Sequence, residues 1–245
     1  MKKFAIILFL TLFLQSTSYT NDFSEVDYII ENGISSRSFP GAQLLIGNKE
    51  GILYQKSYGY YTYDRITPVT ENSIFDLASL TKVIATTSAI MKLYDQGKIS
   101  LDDRVAYYLP DFSVNGKEWI NIRNLLLHNS GLRAWMPFYT TCSNKDDVVR
   151  TICSEELRYE PGTDFIYSDL NAILLGVIVE KVSGMSFDEY CRTEIFEPLG
   201  MESTTFNPTG ELKDLALPTE YDNNWRGRQL QGEVHDEAAA VMGGV

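Results

Sequence analysis

The spacing of apolar positions changes along the chain, and each change marks an element. Between Phe23 and Gly33, Val26, Ile29 and Ile30 fall at helical intervals and predict a short amphipathic helix. Gly41 to Ile46 and Ile52 to Tyr61 are rich in β-branched and aromatic residues and flank a turn at Asn48 to Gly51, which predicts a β-hairpin. From Ser79 the period becomes three and four. Val83, Ile84, Thr87, Ile90, Met91 and Tyr94 predict a buried helix that Gly97 stops. Breaks at Pro110, Gly116, Gly131 and Pro137 divide Leu101 to Arg158 into short helices and turns. A second strong helix runs from about Asp169 to Val182, with Leu170, Ile173, Leu174, Val177, Ile178 and Val182 on one face and Gly184 as its stop. A third begins at Ser186, where Glu189 three residues on completes a capping box. No repeat is visible and no linker separates two cores.

The two ends read differently from the middle. Lys2 and Lys3 precede an apolar run from Phe4 to Leu14, too short for the ~20 residues of a spanning helix. Small residues at Ser16 and Ser18 place a cleavage site after Ser18. The expectation is a signal peptide at 1–18 and an exported, periplasmic or secreted domain at 19–245, with no stable membrane span after cleavage. No cysteine follows the run to take a lipid anchor. At the other end, Ala238 to Val245 is an apolar stretch closing on Gly243, Gly244 and Val245. Such a stretch more often continues into another element than ends a domain, so the domain is expected to be incomplete at its C-terminus.

Composition narrows the classes of function. Of 245 residues, 44% are hydrophobic and 22% charged, which excludes a disordered or low-complexity chain and allows one large domain. A net charge of −12 removes the electrostatic basis for binding nucleic acid or anionic lipid. Two histidines and three cysteines without a C-x-x-C pair leave too few soft ligands for a zinc site, so neither metal nor cofactor is expected. In an oxidising compartment Cys142, Cys153 and Cys191 are able to pair, with at least one left over, and Cys191 reads as a small core residue.

One short motif carries chemistry. Ser79, Leu80, Thr81 and Lys82 form S-x-x-K at the start of the predicted buried helix. Residues three apart share a helix face, so the Lys82 ammonium lies beside the Ser79 hydroxyl, and helix N-terminal N–H groups favour developing negative charge. A lysine so placed eases ionisation of serine and relays its proton. With 19 serines and 11 lysines, roughly one such match arises by chance, and a capping serine beside a solvated lysine is the competing interpretation. A second element shifts the balance. Tyr167, Ser168 and Asp169 place a phenol and a carboxylate just before the second helix. A tyrosine needs a cationic neighbour to act as base near neutral pH, and Lys82 is the candidate.

These residues resemble the serine β-lactamase superfamily, in particular its class C branch with the D-alanyl-D-alanine carboxypeptidases and related esterases. Besides Ser79 to Lys82 and Tyr167 to Asp169, the likeness extends through Gly97 to Pro110, Leu125 to Leu132, Glu160 to Gly184 and Phe196 to Met201. The resemblance implies an α+β fold: a mostly antiparallel sheet flanked by helices plus an all-helical part, with the closing strands not in this sequence. It implies that Ser79 forms an acyl-enzyme while Lys82 and Tyr167 exchange its proton, and that the Ser79 backbone N–H is half of an oxyanion hole. The substrate is then a small molecule or cell-wall peptide, an amide or ester, contacted by Asp169 and Asn171.

Two departures from the family pattern stand out. The branch usually shows Tyr-x-Asn, whereas the third position here is Asp169, which accepts from Lys82 but donates nothing to a substrate carbonyl. That favours esters or cell-wall peptides over β-lactams. The family's third motif, His or Lys followed by Thr-Gly, does not occur around His128 or His235 and is expected beyond Val245. A chain lacking that motif is expected to hydrolyse poorly. The alternative from another class is a non-catalytic peptidoglycan-binding member of the same fold. His128 reads as a brace for a loop near the groove, and His235 likewise. Trp119, Trp135, Tyr139 and Trp225 either line the groove or pack. No G-x-S-x-G elbow is present.

Overall fold

A computed structural model describes residues 22–223, 226–234 and 239. The predicted leader, Trp225, His235 and the Gly243–Gly244 end lie outside the described residues. The chain divides into two compact units at Glu71 and Asn72.

In the first unit, helix α1 (Ser24–Ser35) precedes strands β1 (Gly41–Asn48) and β2 (Gly51–Gly59), which pair antiparallel from Gly41 opposite Gly59 to Asn48 opposite Gly51. The Asn48 side chain closes the turn by accepting the Glu50 N–H at 2.8 Å, as asparagine does in turns. The hairpin is where the pattern predicted it, but the inner face of α1 is not. Ile29 is exposed, and Asp27 faces the hairpin instead. Its carboxylate accepts from Lys56 at 2.7 Å, Tyr54 at 2.6 Å and Tyr58 at 2.5 Å. The Lys56 hydrogen bond, then those of Tyr54 and Tyr58, hold the Asp27 pKa down at about 2.

The second unit is built around helix α6 (Asp169–Ser183). Leu170, Leu174, Ile178 and Val179 are wholly buried, as is Asn171, so this helix is enclosed nearly all round rather than along one stripe. Helices α2 (Ser88–Asp95), α3 (Val105–Tyr108), α4 (Ile122–Leu126), α5 (Lys145–Ser154) and α7 (Phe187–Cys191) pack against it. Gly184 ends α6 in the left-handed region at φ 74°, as its sequence position predicts. No single helix among the described residues is long and apolar enough to cross a membrane. After α8 (Gly210–Leu215) comes a second antiparallel hairpin, β3 (Pro218–Asp222) with β4 (Arg228–Gln231). The sequence pattern missed it because its strands are short and mostly polar.

Two further expectations are corrected. Ser79 does not open one regular helix. Ala78–Leu80 is a 3₁₀ turn, Lys82–Thr87 is π-helical, and only then does α2 begin. The hydroxyls of Thr87 and Ser88 bond to carbonyls five residues back, Lys82 O at 2.8 Å and Val83 O at 3.2 Å, which suits the wider π turn. The face that goes inward is Ala85, Thr86, Ala89, Ile90 and Leu93, while Val83, Met91 and Tyr94 are exposed. Both stripes are apolar in sequence, and the small Ala85 and Ala89 are the residues that permit close packing. The capping box at Ser186 is also absent. Glu180 replaces it: its Oε1 accepts the Phe187 N–H at 2.9 Å and pairs with Lys145 at 2.7 Å.

One long-range zipper positions everything that follows. Residues 128–134 run beside residues 158–169 with bonds from Arg158 N to Gly131 O (2.7 Å), Gly162 N to Asn129 O (2.8 Å), Ile166 N to His128 O (3.0 Å) and Asp169 N to Ala134 O (2.8 Å). Gly131 makes the close approach possible. It sits at φ 87°, and a Cβ there would lie 2.4 Å from the Tyr159 carbonyl oxygen. Gly131→Ala is therefore expected to destabilise the protein by about 2–4 kcal/mol, combining left-handed strain with overpacking. Urea unfolding checks this; a midpoint equal to that of the parent would show that the two segments part without cost.

Candidate active site

Ser79 lies exposed in the 3₁₀ turn, directly after a strained residue. Ala78 has φ 44°, a conformation that costs an alanine about 1–2 kcal/mol, and its N–H is held by Asp76 Oδ1 at 2.9 Å. The bend sets the Ser79 hydroxyl beside Lys82, whose Nζ donates to Ser79 Oγ at 3.2 Å. The spacing of three survives although the helix is irregular.

The ammonium is the hub of the site. Besides Ser79 it meets Asp169 Oδ1 at 2.8 Å and lies beside Tyr167, 5.3 Å from the ring centre. An ammonium has three N–H donors, and here it has the Ser79 hydroxyl and the Asp169 carboxylate within reach. Burial draws the Lys82 pKa down, but the hydrogen bond and charge of Asp169 and the contact with Tyr167 outweigh it, and the net shift is upward. Lys82 is thus a fixed cation at neutral pH. Asp169 opens α6, where a carboxylate also meets the positive end of the helix dipole. Tyr167 is half exposed, its ring 5.3 Å from Lys82 Nζ.

Four of the five site residues expected from sequence therefore share one surface: Ser79, Lys82, Tyr167 and Asp169. Asn171 does not join them. It is wholly buried, and its amide is engaged inside the protein: Oδ1 accepts from Ser130 Oγ at 2.7 Å and Nδ2 lies 3.3 Å from His128 Nδ1. The expectation that Asn171 contacts substrate is corrected accordingly, because Asn171, two residues past Asp169 in α6, points into the core. Ser130 was not singled out in the sequence; its place in the Leu125 to Leu132 stretch was the available signal. Arg133 was also missed. Its carbonyl takes the Ser168 hydroxyl at 2.6 Å, and its guanidinium pairs with Glu155. His128 braces the loop, and Trp119, Trp135 and Tyr139 are exposed rather than packed in the core.

The cysteines do not compete as nucleophiles. All three cysteines are buried and unpaired, and burial pushes the thiols of Cys153 and Cys191 up to about 11 and about 12. No group of three or more His, Cys, Asp or Glu residues that would hold a metal occurs among the described residues.

The profile of the beta-lactamase family matches residues 26–245. The chain belongs to that family. Among curated beta-lactamase relatives, it is 34% identical over 252 residues to a Bacillus subtilis protein named N-acetylmuramyl-L-alanine amidase, covering 90% of this chain and 57% of that one. It is 35% identical over 256 residues to a putative D-alanyl-D-alanine carboxypeptidase of Salmonella agona, covering 90% and 58%. The chain thus spans little more than half the length of these relatives. Among solved structures, a class C beta-lactamase in complex with cefoxitin superposes with a TM-score of 0.75 at 24% identity, covering 90% of this chain and 60% of that one. The α+β beta-lactamase fold implied by the sequence motifs is the fold of this chain.

Ala78→Gly tests the strained bend. Glycine adopts φ 44° freely, so the substitution is expected to raise unfolding free energy by about 0.5–1 kcal/mol even after its own entropy cost. An upward shift of the urea midpoint at constant slope checks it, and a downward shift would remove the strain from the site.

Proposed function

We propose that this chain carries the acyl-transfer site of an exported serine hydrolase acting on an amide or ester, with Ser79 as nucleophile. The observation that carries the reading is the Lys82 ammonium set between Ser79 Oγ, to which it donates at 3.2 Å, Asp169 at 2.8 Å and the Tyr167 ring at 5.3 Å. In the acylation step the Ser79 Oγ bonds to the substrate carbonyl carbon. Its proton passes to the Tyr167 oxygen as the Tyr167 proton moves to the leaving amine or alcohol, whose bond to carbon then breaks. Water repeats the attack with the same relay and frees the acid. Lys82 keeps its proton throughout; its charge stabilises the tyrosine oxygen while that oxygen is short of a proton. No residue on this surface calls for a metal or cofactor.

The names of the relatives, an N-acetylmuramyl-L-alanine amidase and a putative D-alanyl-D-alanine carboxypeptidase, favour a cell-wall peptide as the substrate class of this chain. The leader-like residues 1–18 fit the same compartment.

A fluorophosphonate probe is expected to label Ser79, with the adduct located by mass spectrometry and absent in Ser79→Ala. Lys82→Ala is expected to abolish labelling with little change in melting temperature, and Tyr167→Phe to slow it by about 10²–10⁴. Labelling that persists in Ser79→Ala would overturn the assignment.

Asp169 sets a preference. It presents acceptors only and is engaged by Lys82, so it offers no donor to an amide carbonyl. Activated esters are expected to be hydrolysed faster than a chromogenic cephalosporin, and Asp169→Asn to narrow that ratio by about tenfold, the worth of one good hydrogen bond to a substrate. A ratio unchanged by Asp169→Asn would assign the preference elsewhere.

A further inference from the structure

The polarity of one buried hydrogen-bond chain fixes the state of a histidine that the acyl-transfer relay does not use. The Leu132 N–H donates to Ser130 Oγ at 3.2 Å, and that hydroxyl spends its proton on Asn171 Oδ1 at 2.7 Å. With its oxygen so occupied, the Asn171 amide turns its NH₂ toward His128 Nδ1, 3.3 Å away. The same nitrogen also accepts the backbone N–H of Ser168 at 3.0 Å. Two donors converge on Nδ1, so His128 is a neutral imidazole with its proton on Nε2.

Its surroundings tie that state to the site. The His128 ring lies against Tyr167, centroids 4.8 Å apart, and meets Phe165 edge-on at 6.2 Å. Its carbonyl oxygen accepts from Ile166 N at 3.0 Å and Tyr159 Oη at 3.2 Å. Ser168, whose amide it holds, sits between Tyr167 and Asp169, both of which contact Lys82. The titratable and charged groups facing it are Lys82 from the π-helical turn, Asp169 from the start of α6, and Tyr167 and Tyr159 from the segment before α6.

We infer that His128 is a positioning residue for the Ser79 site: neutral, it holds the Tyr167–Asp169 turn against Lys82, and on gaining a second proton it releases that turn. A protonated ring turns an N–H toward the Ser168 N–H, donor against donor. Reversal of the Asn171 amide satisfies the ring but leaves the Ser168 amide unpartnered, and the new cation faces Lys82. Burial first, and then the charge of Lys82, lower the pKa of His128, with Asp169 opposing. The neutral form is thus favoured in the folded protein, and stability held above the ordinary histidine pKa of about 6.5 is lost as pH falls from there through the folded value.

This inference rests on the acyl-transfer reading of Ser79, and His128→Asn separates the two. Position 128 has φ 53°, a conformation asparagine tolerates, and an asparagine Oδ1 replaces Nδ1 as acceptor but does not protonate in this range. The rate constant for fluorophosphonate labelling of Ser79 is measured between about pH 7 and about pH 5. In the parent it is expected to fall as pH drops below the ordinary histidine value of about 6.5, and in His128→Asn by less than half as much. Imidazole ¹⁵N shifts of the parent at neutral pH are expected to place the proton on Nε2. An acid limb unchanged in His128→Asn, or a proton on Nδ1, overturns the inference while leaving Ser79 as nucleophile. Failure to label Ser79 in the parent at any pH overturns the acyl-transfer reading and this inference together.

Discussion

A single ammonium set between a serine, a tyrosine and an aspartate organises the site. Lys82 holds a hydroxyl, a phenol and a carboxylate that come from two distant stretches of sequence, and it does so as a permanent cation. Desolvation alone would have pushed this amine toward neutrality; Asp169 prevents it. Removing the carboxylate therefore alters more than a contact with substrate. It lowers the pKa of the group on which the serine and the tyrosine both depend.

The hub in turn depends on how the two stretches are brought together. The 3₁₀ turn and π-helical segment carry Ser79 and Lys82, while the zipper between residues 128–134 and 158–169 presents Tyr167 and Asp169. Irregular backbone dominates on both sides. Regular helix begins beyond Ser79 and Lys82, at Ser88, on one side and at Asp169 itself on the other, so the enclosed α6 anchors a site otherwise made of irregular backbone.

Much of this was legible in the sequence, and the failures share a physical cause. The S-x-x-K spacing and the Tyr-Ser-Asp cluster each named residues that stay together, because both are short-range patterns whose geometry is nearly independent of the fold; that the two clusters meet followed only from the family resemblance. The β1–β2 hairpin and α6 were legible because turn chemistry and strong periodicity agreed. The inward face of residues 82–95 was not, since apolar residues occur on both sides and packing chose the one with Ala85 and Ala89. Asn171 was misplaced for a related reason: two residues along a helix from Asp169 is a rotation of about 200°, which takes a side chain from the surface to the core. The capping of α7 by Glu180 has no local signal at all, because the carboxylate arrives from the preceding helix.

The burial of the cysteines has a practical side. Cys142, Cys153 and Cys191 are the only thiols in the sequence and none is exposed, two of them held as poorly ionised thiols by their apolar surroundings. A cysteine introduced at a solvent-facing position would stand alone as the fast-reacting sulfur. Spectroscopic reporters are therefore attachable close to Tyr167, at the exposed Phe165 for instance, without first stripping the native cysteines from the core.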